Sequence, residues 1–377
     1  MSSDPSRPTR LRRARALGDR WLEEAQLARP GWAIGSLLLL CAMIVGASVI
    51  PVPYVVERPG PAVDVLGEYE EEQILVISGA ETHPTEGELM MTTVSVDGGP
   101  GYTVTPVEVI RAWFDRSQAV LPRESVFPEG QTREQTTLTN TASMSTSQQG
   151  AVAVALDALD IEYEPAVLVA GVEEEGPADG TLEPGDVIVS VGGQTSADLE
   201  GFRTLIRAAD PAGPVAMTVR RDGEELELEV PAEEADGTAR LGIVLSDGYE
   251  FPFEVDLAVG DIGGPSAGMI FSLAVYDELT PGALTGGQSI AGTGTIAADG
   301  GVGGIGGIRQ KMVGASDTGA DFFLAPAANC QEVIGYEPDG LEVVAVETFD
   351  QAVEATETIA ETGSTEGLVT CEDVIEK

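Results

Sequence analysis

A serine in the last third of the chain lies in a pattern that suits nucleophilic chemistry. Ser266 follows Gly263, Gly264 and Pro265, and an apolar run that we predict to be helical follows at 270–276. A serine near the start of a helix lies among backbone N–H groups that have no partner within the helix, and such groups can stabilise an oxyanion. The same pattern also fits an ordinary helix cap, in which the hydroxyl only satisfies the backbone. The motif alone leaves both interpretations open.

Attack by a serine requires a base, and the chain offers few. Its only histidine, His83, lies in a predicted loop far along the sequence from Ser266 and would reach the serine only through packing between domains. A lysine acts as a base when its amine is neutral, and burial favours this because it lowers the lysine pKa from its ordinary value of about 10.4. Lys311 is the one lysine ahead of the C-terminal residue, and its neighbours are mostly Gly, Ala and Ile. A pair formed by Ser266 and Lys311 is therefore the leading candidate for acyl transfer.

Lysine is rare in this chain of 377 residues, where 18 of the 20 basic residues are arginine. On number alone, chance is the simpler explanation for Lys311. The glycine-rich run at 301–311 suggests a phosphate loop as another interpretation. Such a loop requires glycine before the lysine and serine or threonine after it, whereas Gln310 and Met312 flank Lys311. The sequence therefore predicts no ATP-binding loop, and we expect neither a cofactor nor a metal.

The segment 31–50 has no charged residue and is long enough to span a bilayer as a helix. Seven arginines and four acidic residues precede it in 1–30, and this net charge of +3 predicts that the tail stays in the cytoplasm. We expect a single-pass anchor in the cell membrane that contacts lipid through 31–50, with the following chain outside the cytoplasm. A signal peptide cleaved near Val45-Gly46-Ala47 is the alternative. A buried core helix fits poorly, because the segment is apolar all round.

The chain beyond residue 50 carries 13 basic and 59 acidic residues, a net charge of −46. This charge would repel phosphates, which excludes a nucleic-acid partner. The acidic residues are spread over the whole segment, and this indicates a solvated acidic surface suited to a salt-rich environment. A patch that binds a cationic ligand is the less favoured interpretation.

The cysteines allow a single disulfide outside the membrane. Cys41 lies within the apolar segment, whereas Cys330 and Cys371 lie in the part of the chain that we expect in an oxidising compartment. A bridge between these two would tie the C-terminal segment to the domain before it. Two free thiols are the alternative.

The chain outside the membrane divides into four regions by composition. Short β-like runs separated by Gly and Pro, followed by an alanine-rich helical stretch, occupy 54–159. A compact unit follows at 160–232, an α/β unit at 237–362 and an acidic tail at 363–377. The predicted fold class is therefore α+β, with the N-terminal membrane helix ahead of these regions.

The unit at 160–232 contains GPADGTLEPGDVIVSVGG, followed by an amphipathic helix and a hairpin. This region resembles a bacterial PDZ domain. The resemblance implies that an extended peptide adds a strand to a sheet edge, with Pro165, Ala166 and Val167 in the loop before the binding strand. That loop lacks the usual Gly-aromatic-Gly pattern, so recognition of a free C-terminus is not implied. A structural β-unit without a ligand is the alternative.

Three motifs in the following region resemble the proteolytic domain of Lon-type serine proteases, in the membrane-anchored PDZ–Lon-like form of Gram-positive bacteria. They are GGPSAG, GTGTI with the later GGVGGIGGIRQK, and LAPAANC. By this resemblance Ser266 is the nucleophile, Lys311 its dyad partner and Thr293 a supporting residue. Backbone amides near Gly264 and Ser266 would bind the oxyanion. ATP-dependent Lon enzymes carry Asp where Gly264 stands, and we expect no counterpart of their ATPase module.

The combined expectation is an ATP-independent, membrane-anchored serine endopeptidase that acts on polypeptides outside the membrane. The PDZ-like unit would bind or filter substrates, and the resemblance to Lon implies a homo-oligomer. The alternative is a non-catalytic peptide-binding adaptor with a degenerate Lon fold. Intact Ser266 and Lys311 favour the enzyme.

Overall fold

A computed structural model of the protein describes residues 32–69, 71–260 and 262–376. The predicted cytoplasmic tail at 1–30, and Gly31 at the start of the predicted anchor, lie outside the described residues. The first described element, α1 (Trp32–Val49), is a helix of 18 residues with a mean hydropathy of 2.2 and no residue buried in protein. Within the described ranges it is the one helix long and apolar enough to cross a membrane, and a signal sequence has the same properties.

Strands and helices then follow one another along the described chain. The strands are β1 (Tyr54–Asp64), β2 (Glu68–Tyr69), β3 (Glu72–Gln73), β4 (Leu75–Ser78), β5 (Glu88–Asp97), β6 (Ala119–Pro122), β7 (Glu164–Val172), β8 (Val187–Val191), β9 (Val215–Arg221), β10 (Glu224–Val230), β11 (Glu233–Ala235), β12 (Thr238–Arg240), β13 (Ile243–Glu250), β14 (Glu254–Leu257), β15 (Ser289–Gly292), β16 (Thr295–Ile296), β17 (Val302–Gly303), β18 (Phe322–Pro326) and β19 (Glu342–Val346). The helices are α2 (Pro106–Trp113), α3 (Arg123–Val126), α4 (Arg133–Ala158), α5 (Leu199–Ala208), α6 (Gly268–Leu279), α7 (Ile308–Thr318), α8 (Cys330–Val333), α9 (Phe349–Thr362) and α10 (Cys371–Ile375). A short 3-10 helix, Ala327–Asn329, precedes α8.

The larger sheet has six strands in the order β19-β18-β15-β5-β1-β6. Strand β15 pairs in parallel with β5 on one side and β18 on the other, and β18 pairs in parallel with β19. Strand β1 is antiparallel to β5 and β6. Three strands therefore come from the chain before the PDZ-like unit and three from the chain after it.

This sheet changes the domain boundaries that the sequence suggests. The segment 54–159 does not form a unit of its own, because its strands β1, β5 and β6 complete the sheet of the region predicted at 237–362. Strands β4 and β14 form a second link between the same two segments. Local patterns cannot reveal such pairing, since hydrogen bonds between strands so distant in sequence depend on the tertiary fold.

A second sheet of five strands, in the order β10-β9-β8-β7-β13, forms the PDZ-like unit. Its core contains Val167 and Val169 of β7, Phe202 of α5 and Val219 of β9, all buried. Strand β13 lies beyond the predicted end of the unit at residue 232, yet it pairs with β7 along its whole length. The sheet of this unit is therefore completed by 243–250.

Helix α4 has 26 residues and packs against elements of both sheets. It begins at Thr132, whose hydroxyl accepts a hydrogen bond from the backbone of Gln135 in a capping box. Its residues 151–156 are Ala, Val and Leu and are all buried, most of them in the core that also contains α6. Earlier positions of α4 meet the PDZ-like sheet, with Leu138 and Ala142 beside Gly171 of β7. Helix α4 therefore joins the PDZ-like unit to the larger sheet.

The segment predicted as an acidic tail at 363–377 is docked onto the larger unit as far as the structure describes it. The N–H of Ala345 in β19 donates to the carbonyl of Val369 at 2.8 Å. Cys371 is 2% exposed and forms a disulfide with Cys330. Helix α10 therefore belongs to the packed structure, although its composition is that of a solvated tail.

Candidate active site

Ser266 lies in the loop between β14 and α6, two residues before the helix begins at Gly268. The N-cap of α6 is Ala267, and the cap makes no side-chain hydrogen bond. Ser266 therefore does not cap the helix, which removes the simpler of the two interpretations of the motif. The residue is half-buried, so its hydroxyl is both held by the protein and within reach of solvent.

Lys311 lies in the first turn of α7 and is only 2% exposed. Its Nζ donates to Oγ of Ser266 at 2.7 Å and to Oγ1 of Thr293 at 2.9 Å. Burial lowers the pKa of the Lys311 amine from 10.5 to about 7, because a charged amine is disfavoured away from water. This lowered pKa makes the neutral amine accessible near neutral pH.

Glycines place α7 close enough to β1 and β5 to bury this lysine. A Cβ at Gly314 would collide with the carbonyl oxygen of Gly60 in β1, so the helix can approach the strand only with glycine at this position. Gly307, the N-cap of α7, has a φ of 71°, and a side chain there would also press on Val94. The glycine-rich run at 301–311 therefore serves the entry and packing of the helix that carries Lys311.

Thr293 directly follows β15 and is 1% exposed. Its hydroxyl donates to the carbonyl oxygen of Ser266 at 2.9 Å, and the N–H of Gly294 donates to the same oxygen at 2.8 Å. Because the hydroxyl hydrogen of Thr293 is used in this way, Oγ1 can only accept from Lys311. When Lys311 is neutral, one amine hydrogen can keep its bond to Thr293. The nitrogen lone pair can then accept from the hydroxyl of Ser266, which reverses the direction of the Lys311–Ser266 hydrogen bond.

Gly264 has a φ of 95°, a conformation that favours glycine. Its N–H donates to the carbonyl oxygen of Asn140 in α4 at 3.1 Å. The sequence predicts that this amide takes part in binding an oxyanion, and in this structure the amide already has a partner. It could serve that purpose only after exchanging Asn140 for a ligand.

The sequence analysis missed the part that α4 takes in this site. The hydroxyl of Ser147 donates to the carbonyl oxygen of Pro265 at 3.0 Å, and Ser147 itself is 7% exposed. Together with Asn140, it holds the residues on the N-terminal side of Ser266. No motif marks Ser147, because it lies within a run of Ser, Thr and Gln whose only visible pattern is helical.

A cleft of about 880 Å³ runs along α4 to the residues just before Ser266. One wall is a row of polar side chains on one face of the helix: Thr137, Asn140, Thr141, Ser145 and Gln148. The opposite wall includes 256–260 and Gly263, and Pro184 of the PDZ-like unit lies at its border. The cleft therefore extends from the PDZ-like unit towards the Ser266 loop, with its lining ending at Gly263. It is lined mostly by polar groups, of which Gln148 already donates to the carbonyl of Leu257 at 2.7 Å.

Pro165, Ala166 and Val167 lie in strand β7 and not in a loop before it. Strand β7 lies between β8 and β13 in the sheet order, but it pairs with β8 only at Leu168. Pro165, Ala166 and Val167 therefore pair with β13 on one side and with no described strand on the other. The three residues line a separate cavity of about 520 Å³ together with the start of α5. Among the described residues, no hydrogen bond joins these three residues to Ser266 or Lys311.

The backbone N–H of His83 donates a hydrogen bond to the carbonyl of Glu278, near the C-terminal end of α6, at 2.8 Å. The helix begins at Gly268, and the rise of an α-helix puts about 15 Å between these two positions. His83 therefore lies away from Ser266. Over the described ranges, no group of three His, Cys, Asp or Glu residues could hold a metal ion.

Two family models match the chain. The model described as "PDZ domain" matches residues 142–232, and the model described as "Lon protease (S16) C-terminal proteolytic domain" matches residues 258–358. The first match begins within α4 and the second contains Ser266, Thr293 and Lys311. Both agree with the resemblances found in the sequence.

Among curated proteins, Lon protease 2 of Bacillus subtilis (strain 168) is 25% identical over 177 residues. The alignment covers 44% of this chain and 31% of that protein, so the chain spans about a third of the relative's length. The solved PDZ domains of SdrC-like proteins from Listeria monocytogenes and Listeria innocua are 22% and 26% identical. They cover 22% and 21% of this chain and 90% and 92% of their own, with TM-scores of 0.20.

The family matches, the mixed helix and strand content and the N-terminal apolar helix confirm the predicted α+β organisation. The chain contains a PDZ domain followed by a Lon-type C-terminal proteolytic domain.

Proposed function

We propose that this protein is an ATP-independent, membrane-anchored serine endopeptidase, with Ser266 as the nucleophile and Lys311 as the general base. The observation that carries the proposal is the 2.7 Å contact between Nζ of Lys311 and Oγ of Ser266. The lysine is buried and its pKa is lowered to about 7, so a neutral amine is available near neutral pH.

In the proposed reaction the neutral amine of Lys311 takes the hydroxyl proton while Oγ of Ser266 attacks the carbonyl carbon of a peptide bond. The resulting ammonium gives its proton to the departing nitrogen as the C–N bond breaks, which leaves an ester on Ser266. Water then attacks the ester, Lys311 accepts a proton from the water, and that proton returns to Oγ. Thr293 keeps the amine oriented through both steps.

The negative charge that develops on the substrate oxygen requires backbone donors next to Ser266. The amides of Gly264 and Ser266 are our candidates. Because the Gly264 amide is bonded to Asn140, a small movement of the loop away from α4 would accompany substrate binding.

We propose polypeptides as the substrates. The cleft beside α4 is large enough for an extended peptide, and its polar row can satisfy a peptide backbone. The PDZ domain borders the same cleft, which supports a role in binding or filtering substrates before they reach Ser266. Both the stretch of β7 at 165–167, which is unpaired on its β8 side, and the sheet edge at β13 are candidates for strand addition.

We assign α1 as a single-pass membrane anchor, with the arginine-rich segment 1–30 in the cytoplasm and the PDZ and proteolytic domains outside it. The Cys330–Cys371 disulfide supports an oxidising compartment for the proteolytic domain. ATP independence is supported by the sequence, in which Lys311 has no phosphate-loop context. The homo-oligomer stays a proposal by analogy with Lon-type domains.

The test uses the full chain in detergent or lipid discs and an unfolded protein as substrate, with and without ATP. We expect Ser266→Ala and Lys311→Met each to reduce cleavage by about a thousandfold or more, and ATP to leave the wild-type rate unchanged. Ser316→Ala is the matched control, since Ser316 is a half-buried serine on the same helix as Lys311.

A serine-directed fluorophosphonate probe gives an independent result. It should label the wild type at Ser266 and leave Ser266→Ala unlabelled. Full cleavage by either variant would overturn the Ser–Lys assignment, and a wild type that binds unfolded protein without cleaving it would favour the adaptor.

A further inference from the structure

Helix α2 exposes an apolar face that the packing of the domain does not use. Trp113 is 67% exposed and Phe114, directly after the helix, is 88% exposed, the two highest values for large apolar side chains beyond α1 in the described part of the chain. Ile110 is 48% exposed. The positions 110, 113 and 114 follow the i, i+3, i+4 spacing, so the three side chains lie on one face.

The adjoining face of α2 already supplies the contacts that hold the helix in place. Val109 and Ala112 are buried in a small cluster with Val56 and Val104. A helix at a protein surface normally turns its polar side outward. The stability of the domain therefore does not explain why the stripe formed by Ile110, Trp113 and Phe114 is exposed.

A short connection links the end of α1 to the start of the helix that carries the stripe. The N–H of Val52, three residues after α1 ends at Val49, donates to the carbonyl of Val104 at 2.9 Å. Thr105, the next residue, is the N-cap of α2. The three residues from Val49 to Val52 span at most about 11 Å, and one backbone hydrogen bond and one further residue then lead to the N-cap of α2. The helix therefore starts on the side of the domain at which the anchor ends.

The segment around the stripe lacks the dense acidic charge that the chain outside the membrane carries on average. The segment 98–123 holds three arginines and two acidic residues, a net charge of +1, whereas the chain beyond residue 50 has a net charge of −46. A surface that lies against an anionic bilayer cannot carry a dense acidic coat, and arginines there can meet lipid phosphates. Trp and Tyr are also the side chains that membranes favour at their interface, and Tyr102 in the same segment is 59% exposed.

We propose that the face of α2 formed by Ile110, Trp113 and Phe114 lies in the outer interface of the lipid bilayer, next to the end of α1. This contact rests on the proposed role of α1 as an anchor, and it would hold the proteolytic domain in one orientation on the membrane. A single flexible connection of a few residues would not do so.

The test uses the three tryptophans of the chain, Trp21, Trp32 and Trp113, as depth probes. The full chain with Trp21→Phe and Trp32→Phe keeps Trp113 alone. It is reconstituted in vesicles of phosphatidylcholine and phosphatidylglycerol, with or without bromine on the acyl chains. We expect brominated lipid to reduce Trp113 emission about twofold or more, because bromine quenches an indole held at the interface.

Two matched variants make the result decisive. In the first, Trp32 is the sole tryptophan and reports on the anchor. In the second, all three native tryptophans are Phe and Tyr336→Trp provides an exposed indole. Tyr336 is 44% exposed and follows α8, which packs on α10 beside β19, at the opposite edge of the sheet from β1 and β6. Its emission should be the same in both kinds of vesicle.

Each result decides for or against the proposal. If Trp32 is quenched and Trp113 is not, the anchor stands and the contact of α2 with lipid is overturned. If Trp113 emission is insensitive to bromine but shifts with the ratio of protein to lipid, a second copy of the chain covers the stripe and the proposal is wrong. If Trp32 also escapes quenching, the anchor fails and the contact fails with it.

Discussion

The hydroxyl of Ser147 in α4 donates to the carbonyl oxygen of Pro265, the residue immediately before Ser266. These two residues belong to elements 118 positions apart in the sequence. A second contact from the same helix, the carbonyl of Asn140 to the N–H of Gly264, holds the loop one residue earlier. Helix α4, which packs against β7 and β13 of the PDZ-like sheet and against α6, therefore positions the proposed nucleophile. This contact offers a physical route by which events at the PDZ domain could reach the site.

Replacing Ser147 should weaken catalysis without altering the base. In Ser147→Ala the loop loses one hydrogen bond, and we expect a three- to tenfold fall in kcat, which is about the effect of one neutral hydrogen bond. The pH dependence should stay the same, because Lys311 is untouched. Ser143→Ala, on the same helix and outside the cleft, is the control, and equal losses in both variants would show that only helix stability was changed.

The pH dependence of cleavage should report the Lys311 amine. Below its pKa of about 7 the lysine is protonated and cannot accept a proton, so activity should rise with pH and level off above about 8. Glu278 provides the control for this rise in activity, because burial raises the pKa of its carboxyl to about 6, close to the same pH range. Glu278→Gln should leave the rise in activity centred near pH 7. A rate independent of pH between about 6 and 9 would contradict a lysine base.

Lys311→Met should make the protein inactive and more stable. The buried lysine binds a proton less readily in the folded chain than in the unfolded chain, so it costs stability below pH 7, and this cost declines between about pH 7 and 10.5. The shift corresponds to at most about 5 kcal/mol near neutral pH, reduced by the two hydrogen bonds that Met cannot make. Thermal unfolding at pH 7 and pH 10 measures the difference, with Ser266→Ala as the control; a gain equal at both pH values would refute this account.

Thr293 should act through Lys311. We expect Thr293→Val to lower kcat about tenfold to a hundredfold, because the amine loses the acceptor that directs its lone pair. The ascending limb of the pH profile should also move to lower pH, since removing an acceptor disfavours the ammonium form. Thr293→Ser keeps the hydroxyl and should keep both the rate and the limb. A loss that is as large in Ser as in Val would point to packing alone.

The disulfide should stabilise the end of the proteolytic domain. Cys371→Ser opens a loop that joins positions 41 apart, and the entropy of such a loop corresponds to about 4 kcal/mol. Differential scanning of the full chain should show a lower Tm for Cys371→Ser and for Cys330→Ser, and the double variant should resemble either single one. Cys41→Ser, which changes a free and exposed thiol in α1, should leave the Tm unchanged.

Several features of the fold could be predicted from local patterns. The apolar length of 31–50 predicts α1, and GPADGTLEPGDVIVSVGG predicts the turn and strand of the PDZ domain. The boundaries were less predictable. Strand β13 could not be assigned to the PDZ domain, because no pattern in 243–250 indicates which strand it pairs with. The composition of 363–377 is that of a solvated tail, whereas in the structure Cys371 is buried.

Residue types and their order are enough to list the groups available for chemistry: one internal lysine, a serine after Gly-Gly-Pro, and a single distant histidine. Their arrangement comes from the fold, which buries Lys311 within 2.7 Å of Ser266, gives its amine Thr293 as a second partner and holds the loop through α4. Residue types cannot supply this arrangement, because a pKa and a hydrogen bond depend on distance and on the exclusion of water. Both are set here by close packing of elements that are far apart in the chain.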